Sequence, residues 1–306
     1  MPALAALVAT LALLAAVPSG GRADRAYDLP TAGVLLEGIG YDERAKVIYV
    51  SGVNDGGQVY RAEVGDEQLE VWQPGNVDGR TTARGIDVDD QGRVYVAGGP
   101  TGRVWVFDRD GTALASLVAP AGTFLNDVWV GADGAAYVTN SNQPEIYRVD
   151  LDAGGGWTIE RWLDAGASIP VVIGPGQFNL GGIVGSPDGR YLVVAQGNLG
   201  ALWRIELASG AVAAIDLRGA SVTNADGLVL RGRKLYVIRN FDRQVTELRL
   251  SGHFDTATLH DEVATPADRT FTTAKLVRGR LLAVDSQFGL PQPWEAENRV
   301  VPLRRP

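Results

Sequence analysis

The feature that most constrains this chain is a unit that recurs six times along it. The clearest copy, Arg84 to Gly111, reads RGIDVDDQGRVYVAGGPTGRVWVFDRDG. It holds three short β-branched or aromatic runs, at Ile86–Val88, Val94–Val96 and Val104–Phe107, and a fourth follows at Leu114–Val118. Short strands split by Gly, Asp and Pro turns are hairpin chemistry, so each unit is a four-stranded meander. The pattern returns as EGIGYDERAKVIYVSG from Glu37, NDVWVGADGAAYVTN from Asn126 and GGIVGSPDGRYLVVAQ from Gly181. It returns again as DGLVLRGRKLYVIR from Asp226 and TAKLVRGRLLAVD from Thr273. One such sheet cannot bury both faces, whereas a closed ring of sheets can. Starts spaced about 40 to 55 residues apart match propeller blades. The expected fold is all-β, a six-bladed β-propeller with four-stranded antiparallel blades.

The last copy supplies only three strands, near 274–277, 281–284 and 300–303. Ala32–Leu36 is expected to add the fourth, so that the N-terminal strand pairs with the last blade and closes the ring. The propeller domain is thereby drawn over residues 24–306. Ahead of it, Met1–Val17 is an apolar run ending in Pro18-Ser19-Gly20-Gly21-Arg22-Ala23. That is short for a membrane span and reads as a secretory signal peptide over residues 1–23, with an extracellular or periplasmic product; the absence of Lys and Arg before the apolar run leaves an uncleaved anchor as the alternative. No further membrane span is expected. The chain has no cysteine, so disulfides and thiol chemistry are excluded. A net charge of −8 and a pI near 4.9 argue against nucleic acid as a partner. A small molecule bound by a monomer is expected instead. The apolar connection Asp164–Leu180, the longest between units, is read as a partial lid over the axial face.

Pseudo-symmetry locates candidate chemistry, because equivalent positions of each unit lie at one height around the axis. The position before each innermost strand holds Glu37, Arg84, Asn126, Gly181, Asp226 and Thr273. A column of purely structural residues would tend to one type; this one collects carboxylates, a carboxamide, a hydroxyl and a guanidinium. The ends of the second strands lie at the same face and hold Gly52, Gly98, Asn140, Gln196, Arg239 and Asp285, with Asn54, Asn142, Asn198 and Asn240 close by, so oxygen donors dominate this mouth. Hard cations such as calcium take oxygen ligands, and Glu37, Asn126 and Asp226 suit that role. Arg84, Asn126, Asn140 and Gln196 are the candidate substrate contacts. Glu37 has an alternative partner in Arg84 on the neighbouring blade. Tyr49, Tyr95, Tyr137 and Tyr236 recur at one strand position and are assigned to core packing.

Glu37-Gly38, Asn126-Asp127, Ser186-Pro187-Asp188-Gly189 and Asp226-Gly227 resemble motifs of the senescence marker protein/gluconolactonase family, whose members are six-bladed propellers. The resemblance implies hydrolysis of a lactone with a divalent metal at the channel mouth. Calcium is the first choice of ion, with zinc or manganese as alternatives. By position it implies Glu37 and Asp226 as metal ligands, Asp226 also as the catalytic acid/base, and Asn126 at the shared substrate and metal site. The family pattern has a metal-binding Asn where this chain has Gly181; Asn179 is the nearest substitute. The two histidines, His253 and His260, both fall in the outer part of the fifth unit. A Ser-His-Asp triad or a multi-imidazole metal site is thereby excluded. Two readings stay open: a metal-assisted lactone hydrolase, and a non-catalytic propeller that binds a ligand or protein through the same face.

Overall fold

The computed structural model describes residues 25–306, so the signal-peptide segment 1–23 lies outside the described residues. Among the described residues the strands form six antiparallel sheets of four. Five are sequential meanders: blade one over 36–73, two over 86–118, three over 125–164, four over 183–214 and five over 225–264. Blade six takes three strands from 271–303 and its outermost from Tyr27–Asp28. None of the helices described is long and apolar enough to cross a membrane.

The ring is closed by the N-terminus, but through Tyr27–Asp28 rather than Ala32–Leu36. Tyr27 pairs with Val300 and Asp28 with Arg299. The reason is distance from the axis. The chain must travel from the rim to the channel between the closing strand and the first inner strand. It does so through a turn at 30–33, with Gly33 at φ 81°, so Leu36 already begins the inner strand of blade one. Tyr27 anchors the closure because its ring is fully buried and its hydroxyl accepts from Gly65 N at 3.2 Å. Asp28 N also donates to Glu67 O at 2.9 Å, fastening the same segment to blade one.

Hydrophobic clusters fill each gap between neighbouring blades, as an unclosed sheet would require. Tyr49, Tyr95, Tyr137 and Tyr236 are all buried in these layers. Trp72 shows how two blades interlock, meeting Tyr49 of its own blade edge-on at 4.8 Å and Phe107 of blade two at 5.6 Å.

Candidate functional site

Around the axis the inner strands crowd together, and two sequence devices accommodate them. The first is a β-bulge in blades one, three, five and six, where two residues of the inner strand face one of its partner. Leu36 pairs with Gly52 and Ile39 with Val50, leaving Glu37 and Gly38 against Ser51. The same slip frees Asn126-Asp127, Asp226-Gly227 and Thr272-Thr273. Thr272, not Thr273, is therefore the counterpart of Glu37, since the register runs from Phe271 to Ala274 around the bulge. The second device is glycine. A Cβ on Gly182 would lie 2.3 Å from Asp226 O, and one on Gly38 would lie 2.3 Å from Arg84 O. Neighbouring blades touch backbone to backbone there, and only a residue without a side chain fits.

Hydrogen bonds between blades fix the backbone carrying the mouth residues. Gly85 N donates to Asn126 O at 2.8 Å, and Gly182 N to Asp226 O at 3.0 Å. Thr272 Oγ1 donates to Glu37 O at 2.8 Å, and Ser51 Oγ to Arg84 O at 2.5 Å. The rigid ring thus presents Glu37, Arg84, Asn126 and Asp226 to one cavity of about 610 Å³.

Within that cavity Arg84 Nη1 meets Glu37 Oε2 at 2.9 Å, both side chains being largely buried. The alternative partner for Glu37 is realised. Arg84 also lies over the Phe124 ring, 5.3 Å from its centroid, and its Nε is buried with no hydrogen-bond partner. Asn126 Nδ2 donates to Ser141 Oγ at 2.8 Å. Asp226 Oδ2 accepts from Asn240 Nδ2 at 2.9 Å. Asp226 Oδ1 would lie 3.9 Å from a Cβ at Gly181, so this glycine leaves open space beside the carboxylate.

Burial dominates the electrostatics. It pushes the Asp226 carboxyl up to about 8, with the nearby Glu37 charge adding to it and the Asn240 hydrogen bond opposing. Glu37 is raised by the same burial, with Arg84 pulling it back. Below the mouth lies a void about the size of one water molecule, lined by Asn126, Asp127, Asp226, Thr272 and Thr273 among others. Asp127, beneath it, is pushed up to about 7 by burial, although it accepts from Val128 N and Ile183 N. Deeper still, Lys275 Nζ pairs with Asp87 Oδ1 at 2.6 Å, so one cation is already committed inside the channel.

Asn140 and Gln196 do not join this cavity. Asn140 donates to Glu145 Oε2 at 2.9 Å and accepts from Phe124 N at 2.9 Å. Gln196 donates to Pro170 O at 2.7 Å and accepts from Trp203 Nε1 at 3.0 Å. Both sit at strand ends whose side chains run sideways into the neighbouring loops, so they hold the walls and leave the lumen to others. Asn179 does not substitute for the missing Asn either. It is buried under the 164–182 connection, accepting from Val172 N at 2.8 Å and donating to Val172 O at 3.2 Å. The connection itself reaches the mouth as expected of a lid, through Gly176, Gln177 and Phe178. Asn198 and Asn240, expected beside the ends of the second strands, do line the lumen, whereas no repeat position announced Phe124, Phe178, Phe241 and Phe288. Most lie on loops, where the strand period carries no information.

Could these residues hold a divalent cation? Among the described residues no three His, Cys, Asp or Glu side chains are grouped closely enough to hold a metal. The donors at the mouth are instead two carboxylates and carboxamide oxygens, including Asn198 Oδ1, which is buried without a partner. In kind they fit a hard cation. In charge, the Arg84 guanidinium already takes up part of the negative excess at Glu37.

No protein-family model matches the sequence, and no curated protein matches it at a significant level. Solved structures do match by fold. The allergen Mala s 1 of Malassezia sympodialis superposes with a TM-score of 0.68 at 15% identity, over 92% of this chain and 96% of that one. A calcium-binding protein, regucalcin from Agrobacterium tumefaciens, gives 0.63 at 15% identity over 89% and 90%. A gluconolactonase from Xanthomonas campestris gives 0.62 at 19% identity over 92% and 88%. At these identities the likeness is one of fold alone.

Proposed function

We propose that this propeller hydrolyses a lactone or ester bond of a small molecule at the channel mouth, with Asp226 as the acid/base residue. The observation that carries the reading is the Asp226 carboxyl itself. It stands at the floor of a ligand-sized cavity with its pKa moved to about 8, near the pH at which a catalytic base must work. Ionised Asp226 takes a proton from the attacking water as the oxygen–carbonyl bond forms. It returns that proton to the alkoxide as the ring or ester C–O bond breaks. Arg84 lines the cavity and offers its guanidinium charge to the developing negative charge on the carbonyl oxygen, while Glu37 holds that guanidinium in place. Asn126, pinned through its Nδ2 to Ser141, keeps its carbonyl oxygen for ligand.

Glu37, Asn126 and Asp226 are the residues that would hold a divalent cation, calcium first and zinc or manganese otherwise. When bound, such an ion supplies Lewis-acid polarisation of the ester carbonyl. The fold shared with the Xanthomonas campestris gluconolactonase and the Agrobacterium tumefaciens regucalcin supports this reading.

A second reading, a non-catalytic binding propeller, is favoured by one observation: Glu37 is engaged by Arg84, and Gly181 beside Asp226 carries no donor, which removes two of the positions from which a metal would be held. A panel of γ- and δ-lactones, tested with calcium, zinc, manganese and a chelator on wild type and Asp226→Asn, separates the two. Turnover that Asp226→Asn abolishes supports the hydrolase; inactivity under every condition leaves the binding propeller. We also propose that residues 1–23 direct export, which rests on the sequence pattern alone.

A further inference from the structure

Four of the chain's seven phenylalanines, Phe124, Phe178, Phe241 and Phe288, line the one mouth cavity. They arrive from four separate segments: the entry to blade three, the lid, the loop after the second strand of blade five, and the loop before the last strand of blade six. Convergence from unrelated loops is not a by-product of the repeat. Among the described residues, five of the eleven exposed large apolar side chains belong to the segments framing this mouth: Val171, Ile173, Phe178, Leu199 and Phe241. Ile173 is 89% exposed, Phe241 54% and Phe178 49%. Apolar side chains gathered at a rim and left open to water mark a surface that something apolar covers. The lumen's polar side chains are Glu37, Arg84, Asn126 and Asp226 on its floor and Gln177, Asn198, Asn224 and Asn240 on its walls. The wall amides are largely spent within the protein: Asn198 Nδ2 donates to Gln177 Oε1 at 3.3 Å, Asn224 Nδ2 to Asp242 Oδ1 at 2.7 Å and Asn240 Nδ2 to Asp226 Oδ2 at 2.9 Å.

From this division we infer that the ligand is an amphiphile, with one compact polar ester or lactone head and an aryl or alkyl body, and not a polyhydroxylated sugar lactone. The inference rests on the reading of the mouth as a ligand site and deepens it by naming the substrate class. The head sits on the polar floor. The body rises between the lid at Phe178 and the opposite wall at Phe241 and Phe288, and leaves along Ile173 and Leu199. A sugar lactone would set several hydroxyls against ring faces and against wall amides whose N–H groups are already spent on Gln177, Asp242 and Asp226, and each unpaired hydroxyl is penalised. An alkyl body instead gains with every carbon buried, since one methylene in an apolar pocket changes specificity by about tenfold or more. A cavity of about 610 Å³ is ample for a head with a chain of several carbons.

The test compares δ-decalactone, δ-valerolactone and glucono-δ-lactone, which share a six-membered lactone and differ in what it carries. Hydrolysis is followed by acid release, and binding by calorimetry on the Asp226→Asn variant, which does not consume the ligand. The expected kcat/KM order puts δ-decalactone at least about tenfold above each of the others. Phe178→Ala and Phe241→Ala should each lower the δ-decalactone to δ-valerolactone ratio by about tenfold. Both side chains are half exposed, so truncation leaves the core intact. Equal or better turnover of glucono-δ-lactone, or a ratio that neither variant moves, overturns the inference while leaving hydrolysis standing. If none of the three is hydrolysed, calorimetry decides. Phenylalanine-dependent binding of δ-decalactone upholds the amphiphile site although the hydrolase reading has fallen, and absence of saturable binding overturns it.

Discussion

Replacing Asp226 by Asn in metal-free protein removes a titrating charge while keeping the shape and the oxygen that accepts from Asn240. In the unfolded chain this carboxyl ionises near 3.8, whereas burial and the Glu37 charge hold it protonated in the fold until about 8. A folded pKa above the unfolded one means that the unfolded state binds fewer protons between these values. Stability from this group is therefore lost steadily as pH rises from about 4 to about 8 and is level above that. At about 1.4 kcal/mol per pH unit the ceiling of the effect is about 6 kcal/mol. Asp226 keeps part of its surface open to the cavity, so water screens it, and about 2 to 3 kcal/mol is the expected size. Asp226→Asn should then match wild type at about pH 4.5 and exceed its stability by that amount at about pH 8.5, in chelator-treated protein unfolded by urea. A variant whose advantage does not grow with pH would refute the burial argument, and with it the placement of Asp226 as a desolvated acid.

The other expectations touch separate parts of the molecule. Gly182→Ala forces a Cβ to within 2.3 Å of Asp226 O, a backbone atom that cannot swing aside. It should cost at least about 3 kcal/mol in the urea midpoint and lower activity with it; a neutral effect would mean that the blades do not meet so closely. Calcium at about a hundredfold excess over its dissociation constant should stabilise wild type by about 2.7 kcal/mol, and Asp226→Asn should lose that gain. A melting temperature that calcium, zinc and manganese all leave unmoved removes the cation from the site. Protein recovered from culture medium or periplasm should begin at or near Asp24, and intact cytoplasmic protein starting at Met1 would count against export.

The propeller was legible because its information is repeated: strand runs, Gly-Asp turns and the tyrosine position each recur, and any one copy supports the others. The closing strand was misplaced because Tyr27–Asp28 is two residues long and held by one buried ring, which leaves no alternating pattern to read. The mouth column was legible at Glu37, Arg84, Asn126 and Asp226, since symmetry puts equivalent residues at one height. It slipped by one at Thr273, where the bulge, a backbone event with no residue signature of its own, sets the phase. Asn140 and Gln196 share the height of the mouth but not its direction, and height alone was all that the repeat encoded. The four phenylalanines lay beyond reach for the opposite reason: loops bring them together, and loops do not repeat.

The most direct test of Asp226 as the acid/base residue is the pH dependence of kcat/KM for δ-lactone hydrolysis in chelator-treated protein. Wild type is expected to gain activity with an apparent midpoint near 8, where Asp226 ionises, and Asp226→Asn to lose at least about a hundredfold at every pH. A variant that hydrolyses as fast as wild type with the same profile, or a rate indistinguishable from buffer both with chelator and with calcium, zinc or manganese restored, would contradict it.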